Sequence, residues 1–397
     1  MRLLHVISSV NPKNGGPIEG VKQLQAPLQS LGAQVEIACS DSPDSPWLVT
    51  CDFTTVHGLG PARLGYAYTP HLLTWLRENA SRFDAVIVEG LWQYHGLAVR
   101  RALAGTNVPY FVFTHGMLDP WFKRTYPLKH VKKWLYWPWA EYRVLRDATA
   151  VIFTCEEERL LARKSFWLYR CNEAVTAYGT SAPPDDAEGL KEKFLTQHPG
   201  LRGKRLFLFL SRIHEKKGCD LLIEAFARVA PNHPDLHLVM AGPDQTGWAV
   251  QLKAQAARLG IAARITWPGM LQGDDKWGAF HATEVFCLPS HQENFGIVVA
   301  EALGCGKPVL ISDKVNIWRE IEADGAGIVR PDTVEGTIDA LRTWLALTPE
   351  AQNSMREAGR HCFENRYRIE RVAADLVDII SRHLNAGASK RGKGEAS

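Results

Sequence analysis

Two glutamates eight residues apart are the most distinctive chemistry-bearing side chains of this 397-residue chain. Glu293 and Glu301 lie in the run QENFGIVVAEALGCGKPVL, residues 292–310, which follows a short apolar run. The pattern predicts a helix over residues 296–304, with Glu293 just before its start and Glu301 about two turns into it. Carboxylates there suit the hydroxyls of a sugar or ribose, beside a helix N-terminus that attracts anions. On spacing alone, an alternative stays equally open, in which Glu293 caps the helix and Glu301 is solvated.

Two cations, Arg212 and Lys217, follow an apolar run within FLFLSRIHEKKGCDLLIEAF, residues 207–226. The apolar run predicts a buried strand, and an amphipathic helix is predicted from Gly218 onward. Cations at the carboxyl end of such a strand lie where open α/β sheets bind ligands. The pair therefore suits a diphosphate, although a solvated loop with incidental charges is the alternative.

Two further loops carry weaker signals. Gly15 and Gly16, within NPKNGGPIEG, follow the first apolar run and would let a ligand approach the backbone closely. An ordinary tight turn explains these glycines equally well. His115 and Gly116 follow the run FVFT directly, which puts an imidazole at the end of a predicted strand. For His115, a site role and a structural role are equally open.

The elements that must position these residues alternate between strand and helix. Short apolar runs predict strands, and amphipathic segments such as residues 221–230 and 249–259 lie between them. This alternation predicts βαβ units with parallel sheets. The predicted strands are residues 3–8, 34–38, 85–88, 110–114, 150–154, 206–210, 236–241, 264–267, 285–288 and 308–311.

These strands fall into two sets, which predict two domains. The run SAPPDDAEG between the sets contains the Pro, Asp and Gly typical of a linker. We expect an N-terminal domain over residues 1–180, a linker over 181–200 and a second domain over 201–365. The small, polar and basic tail over residues 386–397 is expected to be disordered.

Composition excludes several classes of function. With 22% charged residues, 46% hydrophobic residues and a net charge of +3, the chain is of ordinary globular type and shows no bulk charge for nucleic acid. It contains no P-loop, dinucleotide fingerprint or nucleophile elbow. Neither a D-x-D pair nor a zinc spacing occurs, so we expect no metal and no cofactor. Eight cysteines without a CxxC pair, and no long apolar stretch, predict a cytoplasmic protein.

Residues 121–146 interleave four tryptophans and three tyrosines with seven basic residues. Such a mixture suits peripheral contact with an anionic membrane, at the inner face in a cytoplasmic protein. The alternative is that Trp134, Tyr136 and Trp137 pack into the domain while the lysines stay solvated. Pro138 would interrupt any long helix here. Both interpretations stay open, and with them a lipid-linked substrate.

Together these residues resemble the retaining GT-B glycosyltransferases of family four, the group 1 enzymes of polysaccharide and glycolipid assembly. The E-x7-E spacing, with Phe295 and Gly296 inside it, is the most specific feature, and the cations and His115 stand in the family's order. The resemblance covers the chain from the glycine loop near residue 15 to the last helix. It implies an α/β fold of two Rossmann-like domains facing a central cleft. It also implies a C-terminal helix, over residues 366–385, that returns to the N-terminal domain.

The resemblance implies roles for single residues as well. Glu293 and His115 would lie beside the donor sugar, Glu301 would hold the ribose, and Arg212 and Lys217 would stabilise the departing diphosphate. Loop residues complete the implied set of substrate-binding residues. Gly15 and Gly16 would lie near the donor phosphate and the acceptor, Gly242 near the nucleotide and Met270 near the base. The remaining four would lie along the phosphate and sugar: Asn294, Phe295, Gly296 and Ile297. The family often has glycine where Ser211 and Asn294 stand, which affects only local loop geometry.

The implied function is metal-independent, retaining transfer of a sugar from a UDP- or GDP-sugar to a glycan or lipid-linked acceptor, as in exopolysaccharide or lipopolysaccharide synthesis. One alternative is a nucleotide-sugar epimerase of the same fold, which needs proton-abstracting carboxylates that the sequence does not show elsewhere. Another is a non-catalytic nucleotide-sugar-binding assembly subunit, which need not keep Glu293, Arg212 and Lys217 together. The sequence defines neither the sugar and base of the donor nor the acceptor.

Overall fold

The computed structural model describes residues 1–49, 51, 53–63 and 65–392. The chain divides into two compact units. The first contains Met1–Gly179 together with the chain from Ile369 onward, and the second is Thr180–Arg368. Each unit is built on one parallel sheet covered by helices.

The sheet of the first unit has seven described strands, all parallel, in the order β3-β2-β1-β4-β5-β6-β7. The strands are β1 Arg2–Ile7, β2 Gln34–Cys39, β3 Thr55–Gly58, β4 Ala85–Glu89, β5 Tyr110–Phe113, β6 Ala150–Phe153 and β7 Glu173–Val175. Leu3 of β1 lies opposite Val35 of β2 on one side and Ala85 of β4 on the other. The strand order therefore reverses between β1 and β4, which opens a crevice at their carboxyl ends.

The helices of the first unit cover both faces of this sheet, which is why its central strands are continuous buried apolar runs. They are α1 Gly16–Ser30, α2 Pro46–Val49, α3 Pro70–Asn79, α4 Tyr94–Leu103, α5 Trp121–Thr125, α6 Pro127–Tyr136, α7 Glu141–Asp147 and α8 Glu156–Ala162. Leu24 and Leu28 of α1 share a core cluster with Val372, Leu376 and Ile380. Those three residues belong to the last helix, Ile369–Gly392, which packs within this first unit.

The second unit repeats the plan with six described parallel strands in the order β10-β9-β8-β11-β12-β13. Its strands are β8 Arg205–Leu210, β9 Leu236–Ala241, β10 Ile265–Gly269, β11 Val285–Leu288, β12 Val309–Ser312 and β13 Gly327–Arg330. Its helices are α9 Ala187–Gln197, α10 Cys219–Val229, α11 Trp248–Arg258, α12 Gly273–Ala282, α13 Ile297–Gly304, α14 Trp318–Ala323, α15 Val334–Ala346 and α16 Pro349–Cys362. The last helix of the chain, Ile369–Gly392, is α17. Here the order reverses between β8 and β11, so this sheet also opens a crevice at the carboxyl ends of those two strands.

All ten predicted strands overlap an observed strand, but β3, β7 and β13 were not predicted. Each of the three lies at an edge of its sheet. An edge strand pairs on one side only and needs fewer apolar residues, so β3 and β7 contain no fully buried position and give no apolar run to detect.

The prediction of a linker over residues 181–200 is wrong for most of that range. Residues Ala187–Gln197 form α9, which packs against α12 inside the second unit. Asp186 accepts a hydrogen bond from the Gly189 N–H at 3.0 Å, so the Asp-rich run caps a helix instead of marking a linker. Of the expected disordered tail, residues 386–392 belong to α17, and residues 393–397 lie outside the described part of the chain.

Candidate functional site

In the second unit, the loop after β8 brings Lys217 against Glu293. The Lys217 ammonium donates a hydrogen bond to Oε2 of Glu293 and forms an ion pair with it. Lys217 is only 5% exposed. A buried lysine needs a charged partner to offset its lost hydration, so the two side chains depend on each other.

Backbone contacts fix this pairing from both sides. The His291 N–H donates to the Lys216 carbonyl at 2.9 Å, which joins the loop after β8 to the loop after β11. Gly218 has a φ of +66°, and a Cβ there would lie 2.1 Å from the Pro289 carbonyl oxygen. Only glycine permits both this backbone conformation and this close approach. The Glu293 N–H donates to the Lys314 carbonyl at 2.9 Å, which ties the glutamate to the loop after β12.

Arg212 differs from Lys217 in its surroundings. It lies on the same loop, is exposed, and forms no ion pair or hydrogen bond with the described residues. A guanidinium without a protein partner keeps its donors available for a ligand anion. Of the two cations proposed to bind a diphosphate, Lys217 is therefore paired and Arg212 is not.

Glu301 is buried in α13, and its Oε1 accepts a hydrogen bond from the Lys276 ammonium at 2.7 Å. The Lys276 ammonium also lies 4.4 Å above the ring of Trp277. The alternative of a solvated Glu301 is therefore wrong. The alternative of Glu293 as a helix cap is wrong as well, because α13 begins after Gly296 without a side-chain cap.

The remaining residues implied for the second unit lie on loops at the carboxyl ends of its strands. Gly242 follows β9, and its N–H donates to the carbonyl of Gly269 at 2.7 Å, which brings it next to the exposed Met270. A Cβ on Gly242 would lie 1.7 Å from the Ser211 carbonyl oxygen, so glycine is required where these loops meet. Asn294, Phe295 and Gly296 connect Glu293 to Ile297, the first residue of α13. Phe295 is buried edge-on to Tyr367, with ring centroids 5.4 Å apart.

In the first unit, His115 belongs to a buried cluster with Glu89 and His5. His115 Nε2 lies 2.6 Å from one carboxylate oxygen of Glu89, and His5 Nδ1 lies 2.7 Å from the other. Burial raises the pKa of Glu89, but the hydrogen bonds from His115 and His5 outweigh it and lower that pKa to about 2. An ionised carboxylate only accepts hydrogen bonds, so each imidazole carries a proton on the nitrogen that faces it. Nδ1 of His115 is then the nitrogen left for a ligand.

A second buried carboxylate, Glu158 of α8, holds the His115 loop in place. One of its oxygens accepts hydrogen bonds from the Thr114 hydroxyl and the Gly116 N–H, both at 2.5 Å. The other accepts from the N–H and the hydroxyl of Thr154, both at 2.7 Å. His115 itself has a φ of +46°, which is unusual for a residue other than glycine. The contacts on either side stabilise that conformation and aim the imidazole at Glu89.

The loop that contains His115 also contacts Trp92, which is held in turn by Glu141. The Trp92 indole N–H donates to the Met117 carbonyl at 3.2 Å, and the Trp92 backbone N–H donates to Oε1 of Glu141 at 2.9 Å. Burial raises the pKa of Glu141 to about 8, and the Trp92 hydrogen bond and the charge of Lys133 only partly oppose it. Glu141 is therefore largely protonated at neutral pH.

The glycine loop of the first unit lies close to His115 through Tyr178. The Tyr178 hydroxyl donates to the Gly16 carbonyl at 2.5 Å, and its ring lies edge-on to His115 with centroids 6.1 Å apart. Gly15 and Gly16 are both exposed, with open space where side chains would project. The first unit thus brings together the loop after β1, the loop after β5 and the end of β4.

Sequence reasoning missed the buried partners of the proposed site residues: His5, Glu89, Glu158 and Lys276. A signal existed for Glu89, a charged residue that ends the apolar run AVIVE, and for His5 inside the apolar run of β1. Glu158 and Lys276 lie in polar helical segments, EEERLLA and GDDKWGAF, where a charge is unremarkable. Apart from Thr154, four residues before Glu158, their partners are more than 20 residues away and are defined only by the fold.

Two general features of the structure bear on ligands and surroundings. Apart from residues 50, 52, 64 and 393–397, which are not described, no group of three or more His, Cys, Asp or Glu side chains is arranged to hold a metal ion. Among the helices described, none is both long and apolar enough to cross a membrane.

Two family models match this chain. The model of glycosyl transferases group 1 matches residues 191–362, and the model of a glycosyl transferase 4-like domain matches residues 15–179. The matches correspond to the two Rossmann-like units and include the loops described above. The chain belongs to the group 1 glycosyltransferases and has the GT-B fold, as the resemblance implied.

Individual relatives agree with this family. Mannosylfructose-phosphate synthase from Agrobacterium fabrum is 26% identical over 338 residues, which cover 77% of this chain and 73% of the relative. Phosphatidyl-myo-inositol mannosyltransferase from Mycobacterium tuberculosis is 36% identical over 194 residues, so the match spans 47% of this chain and half the length of that relative. The crystal structure of HepE from Anabaena in complex with UDP and glucose has a TM-score of 0.74 and 17% identity, covering 96% of this chain and 100% of HepE. At this level of identity, the structural likeness supports the fold alone.

Proposed function

We propose that the protein transfers a sugar, with retention of anomeric configuration, from a UDP- or GDP-sugar to a hydroxyl of a glycan or lipid-linked acceptor. The observation that carries the proposal is the loop after β8, which contains both the unpaired Arg212 and the buried Lys217, the ion-pair partner of Glu293. Cations for a diphosphate and a carboxylate for sugar hydroxyls occur together there. The complex of HepE with UDP and glucose supports the choice of donor.

In this mechanism the cations stabilise the leaving group. Arg212 and Lys217 bind the diphosphate and oppose the negative charge that grows on it as the glycosidic bond breaks. The N-terminus of α13 adds a positive dipole end. Because these groups supply the charge stabilisation, we propose that the reaction needs no divalent metal.

The sugar passes through an oxocarbenium-like state while Glu293 accepts hydrogen bonds from its hydroxyls. The bond from C1 to the diphosphate oxygen breaks with its electron pair, and the acceptor oxygen bonds to C1 on the same face. The acceptor's proton leaves with the diphosphate. Glu301, held by Lys276, would bind the ribose, and His115 would contact the sugar through the nitrogen that does not face Glu89.

The names of the relatives support an acceptor rich in hydroxyls. One is a mannosylfructose-phosphate synthase and another a phosphatidyl-myo-inositol mannosyltransferase. We therefore propose a polyol, glycan or lipid-linked glycan acceptor, in polysaccharide or glycolipid synthesis.

A donor screen tests the proposal. Thermal shift across UDP-, GDP- and ADP-sugars should identify one donor, and release of its nucleotide should then depend on an acceptor. NMR of the new glycosidic bond should show the anomeric configuration of the donor, and inversion would refute the retaining mechanism. Donor binding without acceptor-dependent release would favour a binding subunit, and sugar interconversion without acceptor would identify an epimerase.

A further inference from the structure

Helix α6 of the first unit turns its apolar side chains toward solvent. None of its ten residues is buried. Leu128, Val131 and Leu135 are exposed and lie three and four residues apart, so they share one face of the helix. Leu128 is 86% exposed. A surface helix ordinarily turns such a face to the core, so this face is available for a partner.

Tryptophans extend this face beyond α6. Trp134 is exposed on the helix, and its ring centroid lies 6.4 Å from that of Trp167, which is 67% exposed. Trp139, three residues after the helix, is 71% exposed. We call these five residues the aromatic patch: Leu128, Val131, Trp134, Leu135 and Trp167. Trp137, in contrast, is fully buried, and its indole N–H donates to the Leu168 carbonyl at 2.6 Å. The interpretation that this segment packs into the domain thus holds for Trp137 and for the half-buried Tyr136, whose ring lies edge-on to Tyr66, but not for Trp134.

The surroundings of the patch are strongly basic. Residues 120–140 contain five Lys and Arg and no Asp or Glu. Lys129 and Lys132 are exposed, and neither they nor Lys123 and Lys133 form an ion pair with any described residue. Among the described residues, the positive charges beside the patch are therefore not neutralised by ion pairs with carboxylates.

We propose that the aromatic patch and the lysines beside it bind an anionic lipid surface, with α6 lying in the plane of the interface. Lysine is depleted in protein–protein interfaces, whereas tryptophan with flanking lysines is typical of segments at a membrane surface. A ten-residue helix is about 15 Å long, half the hydrocarbon thickness, so α6 can lie on a bilayer but not cross it. Each lysine near the surface adds attraction to anionic headgroups.

This docking goes beyond the proposed function and does not depend on it. Only its consequence, that a lipid-linked acceptor is met at the membrane, rests on the proposed transfer. Vesicle binding needs neither donor nor acceptor. It can therefore fail while nucleotide release is intact, and nucleotide release can fail while vesicle binding is intact.

Co-sedimentation of the full chain with vesicles tests the proposal. The protein should bind phosphatidylcholine vesicles that contain phosphatidylglycerol and bind pure phosphatidylcholine much more weakly. The variant K129E/K132E should lose at least about tenfold in affinity. The matched control K253E/R258E makes the same change of charge on exposed positions of α11 and should stay within twofold of the wild type.

A second pair of variants tests the apolar contribution. L128S/L135S should weaken binding to the anionic vesicles without lowering the melting temperature, because both side chains are already exposed. Val250→Ser, an exposed apolar position on α11, is the control and should not change binding. Equal binding by K129E/K132E and its control would overturn the proposal. So would absence of wild-type binding to anionic vesicles, which would point to a protein as the occupant of the patch.

Discussion

Replacing Arg212 and Lys217 by alanine, one at a time, separates the roles of the two proposed phosphate ligands. A hydrogen bond to a charged group is worth about 1.5–3 kcal/mol. If that energy is realised mainly in the transition state, each variant should lose about 10- to 150-fold in kcat. On activity alone, Arg212→Ala and Lys217→Ala should therefore look alike.

Stability should distinguish them, because their surroundings differ. Arg212 is exposed and unpaired, so its removal should change the free energy of unfolding by less than about 0.5 kcal/mol. Lys217 is buried against Glu293, and its removal leaves that carboxylate without its partner. We expect a loss of about 1–3 kcal/mol, since the Glu293 carboxylate, only 21% exposed, loses its partner. For a unit of this size, the melting temperature should fall by about 2–12 °C.

The assay is nucleotide release with acceptor, measured beside thermal unfolding of the same preparations. The control is the double variant Lys217→Met/Glu293→Gln, which removes both charges. It should regain most of the lost melting temperature, because no unpaired charge remains, while staying inactive. A melting temperature that falls equally for Arg212→Ala and Lys217→Ala, or a wild-type rate in either variant, would refute this assignment.

Three further predictions concern the first unit and the leaving group. Glu89→Gln should lower nucleotide release about 10- to 150-fold, because an NH2 donor replaces one of the two oxygens that face His5 and His115; a rate within twofold of the wild type would contradict this. Glu141→Gln should have the wild-type melting temperature below pH 4.5 and become the more stable protein as the pH rises toward 8, by up to about 4 kcal/mol. The wild type should be the less stable protein at higher pH because the pKa of its buried Glu141 carboxyl is raised, so this carboxyl opposes folding as the pH rises from 4.5 toward 8. A difference in melting temperature that stays constant across pH would contradict this. Nucleotide release should survive excess EDTA within a few-fold, and a complete loss that Mg²⁺ or Mn²⁺ restores would refute a metal-independent leaving group.

The motif positions were readable from the sequence because each combines a glycine or a charge with the end of an apolar run. Lys217 and Glu293 are 76 residues apart, yet each lies in the loop that follows its own strand. Since β8 and β11 are neighbours in the sheet, their carboxyl ends meet, and both loops reach the same place. The resemblance to the family implied that these two loops act on the same donor. The order of the strands explains why the loops lie together.

The buried charged side chains that hold the site residues in place could not be predicted from the sequence. Glu89 accepts hydrogen bonds from His5 and His115 because β1 and β5 both pair with β4. Local sequence patterns do not show which strands are neighbours in the sheet. The same holds for Glu158, whose carboxylate accepts from the ends of both β5 and β6. Local periodicity predicts which residues face a core, but not which buried charge compensates another.

The pairing of Lys217 with Glu293 gives the proposed donor site a particular charge balance. Before donor binds, Arg212, Lys217 and Glu293 together present one net positive charge, and that charge resides on Arg212 because Lys217 is already compensated. A diphosphate would therefore be attracted first by Arg212 and would then share Lys217 with Glu293. The carboxylate that shares its lysine becomes a better acceptor for sugar hydroxyls, so binding of the phosphate and orientation of the sugar reinforce each other. Lys217 thus has a partner in the empty unit as well as in the proposed complex, which is why its removal should lower stability in addition to activity.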